Sequence, residues 1–178
     1  MAVFDDAFGY VVSPTVEGGY SDDPEDPGNW TGGKVGHGEL RGTKYGISAA
    51  RYPGEDIRGL TMQRAKDLYR RDYWLPCKCD VLPPAVALLV FDAAVNQGTG
   101  DARRFLQRAV GVTDDGVIGP VTLGAVRAAN RAELIIAYTA ERLLDYTKAG
   151  GWPRYGKGWS RRAVRTAIAA DAMLGVYA

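Results

Sequence analysis

Residues 85–97, AVALLVFDAAVNQ, constrain the fold more than any other stretch of the chain. They are apolar nearly all round until Asn96, and a helix without a polar face has to be surrounded by protein. The stretch therefore predicts the buried central helix of an all-α domain. Pro83 and Pro84 stand at its start, where a missing backbone donor costs nothing. Asp92, inside the apolar run, is expected to be buried and hydrogen-bonded. Asn96 and Gln97 come at its exposed C-terminal end, where they either face a groove or cap the helix.

The remaining periodic segments are helical too. Phe4, Phe8, Val11 and Val12 recur at helical spacing and predict an amphipathic helix over 3–13, which Pro14 ends. Thr61 caps a helix over 62–74 with Ala65, Leu68, Tyr69 and Tyr73 on one face, stopped by Pro76. A helix over 101–110 carries Phe105, Leu106 and Ala109 on one side, and DDGVIGP turns into a helix begun by Pro120. Asn130 caps a longer helix that ends at Gly150 and Gly151. WPRYGKGWS reads as a loop rich in aromatic and basic residues, and Ser160 as the cap of a last helix with Val164, Ile168, Ala172 and Leu174 inward.

Between the first two helices lies Val16–Ser48, VEGGYSDDPEDPGNWTGGKVGHGELRGTKYGIS, which has no helical period. So long an irregular segment in a globular chain commonly serves function. Its glycines and prolines predict turns and at most a short irregular hairpin, a Gly-rich loop at the lip of an active site. Glu17 falls at or just past the C-terminus of the first helix, where the partial negative charge of the helix end disfavours an ionised carboxylate. That position suits an acid. Tyr20, Trp30 and Tyr45 offer stacking faces for a sugar, or anchor the loop to the core.

Composition narrows the function classes. With 178 residues and a formal charge of +1, the chain can bury a full core and is not a polybasic nucleic-acid binder. No apolar run approaches the roughly 18 residues of a membrane span. The start, MAVFDDAFGY, has acids where a signal peptide needs basic residues, so the expectation is synthesis and accumulation in a cytoplasm. Cys77 and Cys79 stand one residue apart, a spacing that strains a disulfide, and are expected to be free thiols. With His37 as the single histidine, neither a catalytic zinc site nor another cofactor is expected. Arg161, Arg162 and Arg165 crowd the end of the chain beside Trp152, Tyr155 and Trp159. They form either a solvated helix face or a surface for anionic envelope polymers such as outer-membrane lipopolysaccharide.

EGGYSDDPEDPGN, followed by GTKYGIS, resembles the muramidases of glycoside hydrolase family 108, a set that includes phage endolysins. FDAAVNQG and RFLQRAVGVTDDGVIGPVTLGAV resemble the peptidoglycan-binding region that usually comes next in that family. The resemblance implies a lysozyme-like, two-lobed helical domain over residues 1–178, with a catalytic lobe at 1–82 and a helical lobe at 83–178. It implies hydrolysis of the β-1,4 bond between N-acetylmuramic acid and N-acetylglucosamine by a monomer whose partner is bacterial peptidoglycan. For a phage enzyme it also implies release from the host cytoplasm to the wall at lysis.

Carried across residue by residue, Glu17 would be the general acid, Asp26 the second carboxylate and Thr43 the threonine near the attacking water. Tyr20, Tyr45, Gly46, Asn96 and Gln97 would contact substrate. Two departures stand out: an insertion over about 30–41, which makes Thr31 a competitor for Thr43, and Asn29 where the second glycine of Asp-Pro-Gly-Gly is usual. The two-carboxylate chemistry predicts single displacement if the carboxyls stand about 6.5–9.5 Å apart, and retention at about 5 Å. Three other readings use the same residues or nearby ones: a lytic transglycosylase, a cysteine–histidine amidohydrolase built on Cys77 or Cys79 with His37, and a non-catalytic wall-binding module.

Overall fold

The first apolar period forms helix α1 (Ala2–Val11) in a computed structural model that describes residues 2–13 and 19–176. The chain divides into two compact units, one of Phe8–Arg70 and the other of Met1–Ala7 with Arg71–Ala178.

In the Phe8–Arg70 unit the glycine-rich stretch is more regular than a loop. Strands β1 (Tyr20–Ser21), β2 (Thr43–Lys44) and β3 (Ile47–Ser48) form one antiparallel sheet in chain order. Tyr20 pairs with Lys44 and Ser21 with Thr43, and on the other side Thr43 pairs with Ser48 and Lys44 with Ile47. The β2–β3 connection is the two residues Tyr45 and Gly46, with φ of 52° and 73°, as a type I′ hairpin turn requires. Gly42 must be glycine for steric reasons. It has φ of 83°, and a Cβ would stand 2.6 Å from the Ser21 carbonyl oxygen and 2.8 Å from the Tyr20 ring.

After β3 the Ser48 carbonyl accepts from the amides of Arg51 and Tyr52, closing a short turn. Helix α2 (Met62–Tyr69) then begins at Thr61, whose side chain accepts from the Arg64 amide at 3.1 Å. Phe8 and Tyr69 meet edge to face at 5.6 Å, and the Tyr69 hydroxyl donates to the Tyr45 carbonyl at 2.8 Å. That bond ties the hairpin turn to α2.

The chain leaves α2 through a π turn, Arg70–Trp74, in place of the continuous helix expected to Trp74. Within the larger unit Trp74, Phe4 and Phe91 pack mutually edge to face at 5.1–5.9 Å. Helix α3 (Pro84–Gln97) is the predicted central helix, with every residue from Ala85 to Ala94 buried. Gly98, with φ of 97° and ψ of 151°, accommodates a break of one residue before α4 (Thr99–Ala109). Helices α5 (Pro120–Ala128), α6 (Arg131–Lys148) and α7 (Trp152–Val176) complete the unit. Pro120 sits at the first position of α5, and the Asn130 side chain caps α6 by accepting from the amides of Ala132 and Glu133.

Helix α7 corrects two expectations. WPRYGKGWS is its first part and not a loop, so Ser160 lies inside the helix, with its hydroxyl donating to the Gly156 carbonyl at 2.8 Å. Gly156 reads as a breaker, but a Cβ there would meet the Trp152 ring at 2.5 Å, so the glycine makes room for the indole one turn earlier. The buried face is also different: Gly156, Ala163, Thr166 and Ala170 face inward, while Val164 and Ile168 are 46% and 65% exposed. Small residues allow α7 to approach its neighbours closely, and this displaces the larger apolar side chains to the outside.

Candidate active site

The acidic turn is built from its own carboxylates. Asp26 caps the 3₁₀ turn Pro27–Asn29, with one carboxylate oxygen accepting from the Gly28 amide at 2.8 Å. Asp23 does the same for Glu25 at 2.9 Å. Caps of this kind satisfy amides that a turn leaves unpaired, and they fix the direction of an otherwise exposed Asp26 side chain.

Asn29 joins this turn to the rest of the sheet. It is completely buried. Its amide nitrogen donates to the Asp23 carbonyl at 3.0 Å, its side-chain oxygen accepts from the Thr43 hydroxyl at 2.7 Å, and its own carbonyl accepts from the amides of Arg41 and Gly42. One residue therefore connects the acidic turn to β2 and sets the rotamer of Thr43. Having donated its proton to Asn29, the Thr43 oxygen faces its surroundings as an acceptor, the role suited to holding a water by its hydrogen. Thr31, the competing threonine, instead accepts from the Glu39 amide at 2.9 Å and closes the inserted loop. His37 lies in that loop, exposed, with its backbone bonded to Lys34 and Gly32.

Tyr20 is exposed at the start of β1. The Arg58 guanidinium lies over its ring at 5.2 Å and also pairs with Asp22 at 3.0 Å. Hydrogen bonding and charge interaction with Tyr20, and after them the nearby Asp22 charge, raise the Arg58 pKa above its ordinary value. Tyr45 and Gly46 supply the hairpin turn. Glu17, the acid of the resemblance, lies outside the described residues.

Asn96 and Gln97, in the larger unit, are committed to α6. The Tyr146 hydroxyl donates to Asn96, and Gln97 accepts from Arg142 at 2.9 Å while donating to Asp145 at 2.8 Å. They belong to a wider network centred on Asp92. Asp92 and Arg142 are 0% exposed and pair at 2.9 Å, and Arg162 and Thr166 of α7 reach the same carboxylate at 2.9 Å and 3.1 Å. Burial alone would raise the pKa of Asp92, but the Arg142 and Arg162 charges overcome it and hold the group below the usual carboxylate range. Arg162, expected on an envelope-binding surface, is thus turned inward, whereas Arg161 and Arg165 are exposed.

The DDGVIGP turn is held from within by Gln107. Its amide nitrogen donates to Asp115 at 2.7 Å and to the Val117 carbonyl at 3.1 Å, and its oxygen accepts from the Gly116 amide at 2.7 Å. Sequence reading missed both Gln107 and Asn29 as organisers. The signal for Asn29 was present, as an asparagine in place of a motif glycine; a lone glutamine in an amphipathic helix gave none.

The thiols give the cysteine–histidine reading no support. Both are buried and free, and burial pushes Cys77 up to about 12 and Cys79 well above its ordinary value, where almost no nucleophilic thiolate exists at neutral pH. Among the described residues, no group of three or more His, Cys, Asp and Glu side chains is placed to hold a metal ion.

Known proteins place this geometry in a family. The model of glycosyl hydrolase family 108 matches residues 12–98. The solved structure of Brucella abortus SagA is 35% identical, covering 96% of this chain and 95% of that one, with a TM-score of 0.79. The chain belongs to glycosyl hydrolase family 108. No curated protein matches it. Membership makes it a glycoside hydrolase, and the mostly helical architecture agrees with the lysozyme-like fold expected of a family 108 enzyme. The matched span contains Glu17, Asp26, Asn29 and Thr43.

Proposed function

We propose that this family 108 hydrolase acts on peptidoglycan as a muramidase, cleaving the β-1,4 bond between N-acetylmuramic acid and N-acetylglucosamine. The observation that carries the reading is the family match over 12–98, which takes in the whole Glu-Gly-Gly-Tyr to Thr-x-x-Gly-Ile stretch. Glu17 donates its proton to the glycosidic oxygen, so that the leaving sugar departs as an alcohol. Asp26 activates the attacking water by accepting its proton, and the Thr43 oxygen orients that water. Two carboxyl groups in these roles suffice for glycoside hydrolysis.

Support for this division of labour comes from the local geometry. Asp26 is exposed and directed by its cap, and Thr43 is fixed by a buried asparagine. Tyr20, partly exposed with the Arg58 guanidinium over its ring, stands on the strand that comes after Glu17 in sequence. The DDGVIGP segment of the larger unit resembles part of a peptidoglycan-binding region and is read as a separate contact for the wall polymer.

Glu17→Gln keeps the shape of the side chain and removes its proton. It should lower the rate of peptidoglycan solubilisation by about a hundredfold or more, with an unchanged circular dichroism spectrum. Asp26→Asn should fall in the same assay while Thr31→Ala stays near wild type. A folded Glu17→Gln protein that clears peptidoglycan at the wild-type rate would exclude Glu17 as the acid.

A further inference from the structure

Beside the acidic turn, the Phe8–Arg70 unit contains a cleft of about 430 Å³ lined by Tyr20, Leu40, Arg41, Asp56, Ile57 and Arg58. We propose that this cleft binds the short acidic peptide carried by the muramyl sugar, so that the enzyme prefers peptide-bearing glycan to bare glycan. The inference rests on the muramidase reading and names the part of the substrate that reading leaves open.

The lining is more charged than an uncharged sugar needs and suits a zwitterionic peptide. Hydroxyl and N-acetyl groups can hydrogen-bond to charged side chains but bring no charge of their own to complement them. Here two guanidiniums and one carboxylate surround an apolar contribution from Leu40 and Ile57. A guanidinium presents a fork of donors that matches a carboxylate, and Asp56 complements an ammonium. The peptide on muramic acid brings both charges: an acidic residue with a free carboxylate and, next to it, a diamino acid. A polyanion such as nucleic acid or a phosphate polymer fits poorly, because Asp22, Glu39 and Asp56 stand among the same arginines.

The two arginines differ in how they are held. Arg41 is fixed, paired with Glu39 at 2.6 Å and donating to the Pro53 carbonyl at 3.0 Å. Arg58 has its side chain 76% exposed and pairs with an exposed Asp22. Such a pair contributes little, so exchanging part of it for a ligand carboxylate costs little. Arg58 is therefore the specificity-determining residue, and Arg41 is a wall.

Location agrees with this assignment. Tyr20, which lines the cleft, comes three residues after Glu17 in sequence. The peptide of a muramyl unit at the scissile bond leaves the glycan close to the acid. Leu40 and Arg41 come from the insertion over about 30–41 that the compact family pattern lacks. The cleft gives that insertion a use.

The test is calorimetric titration of the full chain with N-acetylmuramyl-L-alanyl-D-glutamyl-meso-diaminopimelate and, in parallel, with N-acetylmuramic acid whose lactyl carboxylate is amidated. Wild type should bind the peptide-bearing ligand about tenfold more tightly. Arg58→Gln should remove about fivefold of that difference, and Asp56→Asn should weaken only ligands that carry the diamino acid. Equal binding of the two ligands by wild type, or an undiminished difference in Arg58→Gln, overturns the proposal.

A second readout compares kcat/KM on intact glycan and on glycan stripped of peptide by an amidase. The preference of wild type for intact glycan should collapse toward one in Arg58→Gln. If wild type and variant turn over both glycans equally, the cleft loses its role and the muramidase reading stands. If neither glycan is cleaved while the peptide still binds through Arg58, the muramidase reading falls and the cleft stands.

Discussion

Asn29 shows how one residue can replace the flexibility of a glycine with a set of bonds. Where the family pattern has a second glycine, this chain buries an asparagine whose side chain binds Asp23 and Thr43 and whose backbone carbonyl accepts from the amides of Arg41 and Gly42, just before β2. The inserted loop leaves and returns across this residue, so the departure and the insertion fit together physically. Asp92 plays the corresponding part in the larger unit. Two arginines around a fully buried carboxylate are stable only while that carboxylate is charged. Asp92→Asn leaves both cations without their partner and should destabilise the protein by about 3–5 kcal/mol at neutral pH in a denaturant melt. The pH dependence has a definite sign. Folding depresses the Asp92 pKa, so its contribution is complete above the unfolded value of about 3.9 and is lost as pH falls through the lower, folded value. The stability gap between wild type and Asp92→Asn should therefore narrow on acidification from about pH 4 downward. A gap unchanged into that range would mean that the carboxylate is not the anchor.

At the scale of elements, most helices could be read from period and cap. The all-round apolar stretch became α3, and Thr61, Pro84, Pro120 and Asn130 stand where their chemistry starts a helix. The misreadings have local causes. Gly156 counts as a breaker by propensity, but its value here lies in contact with Trp152, which propensity does not register. The strands are two residues each, too short for an alternating pattern to declare itself. The inward face of α7 is made of small residues, so hydrophobicity pointed to the wrong side. That side presents Arg161, Val164, Arg165 and Ile168 to solvent at helical spacing. We propose that this face, and not Arg162, adheres to anionic envelope polymers. Arg161→Gln with Arg165→Gln should reduce cosedimentation with bacterial envelopes and leave the Tm nearly unchanged. Arg162→Gln should instead cost about 2 kcal/mol, seen as a Tm lower by about 4–8 °C. Envelope binding unaffected by the double substitution would leave the face as ordinary solvated surface.

For the whole molecule, motif and tertiary contact contribute different parts of the site. The proposed acid, Glu17, comes from the motif in the matched family span. The Asp26 cap is local, whereas the Thr43–Asn29 bond, the Asp92 network and the cleft come from contacts between residues far apart in sequence, which no local pattern encodes. Among the described residues no helix is long and apolar enough to cross a membrane, and the two cysteines are inert by burial. Family membership makes the chain a glycoside hydrolase, and the proposed chemistry uses two carboxyl groups. Mass spectrometry of purified peptidoglycan digested with the full chain tests this most directly. Fragments ending in reducing N-acetylmuramic acid are the expected products. Anhydromuramic ends would assign the bond to a lytic transglycosylase, and new amino termini on intact glycan, or no fragments at all, would contradict glycoside hydrolysis.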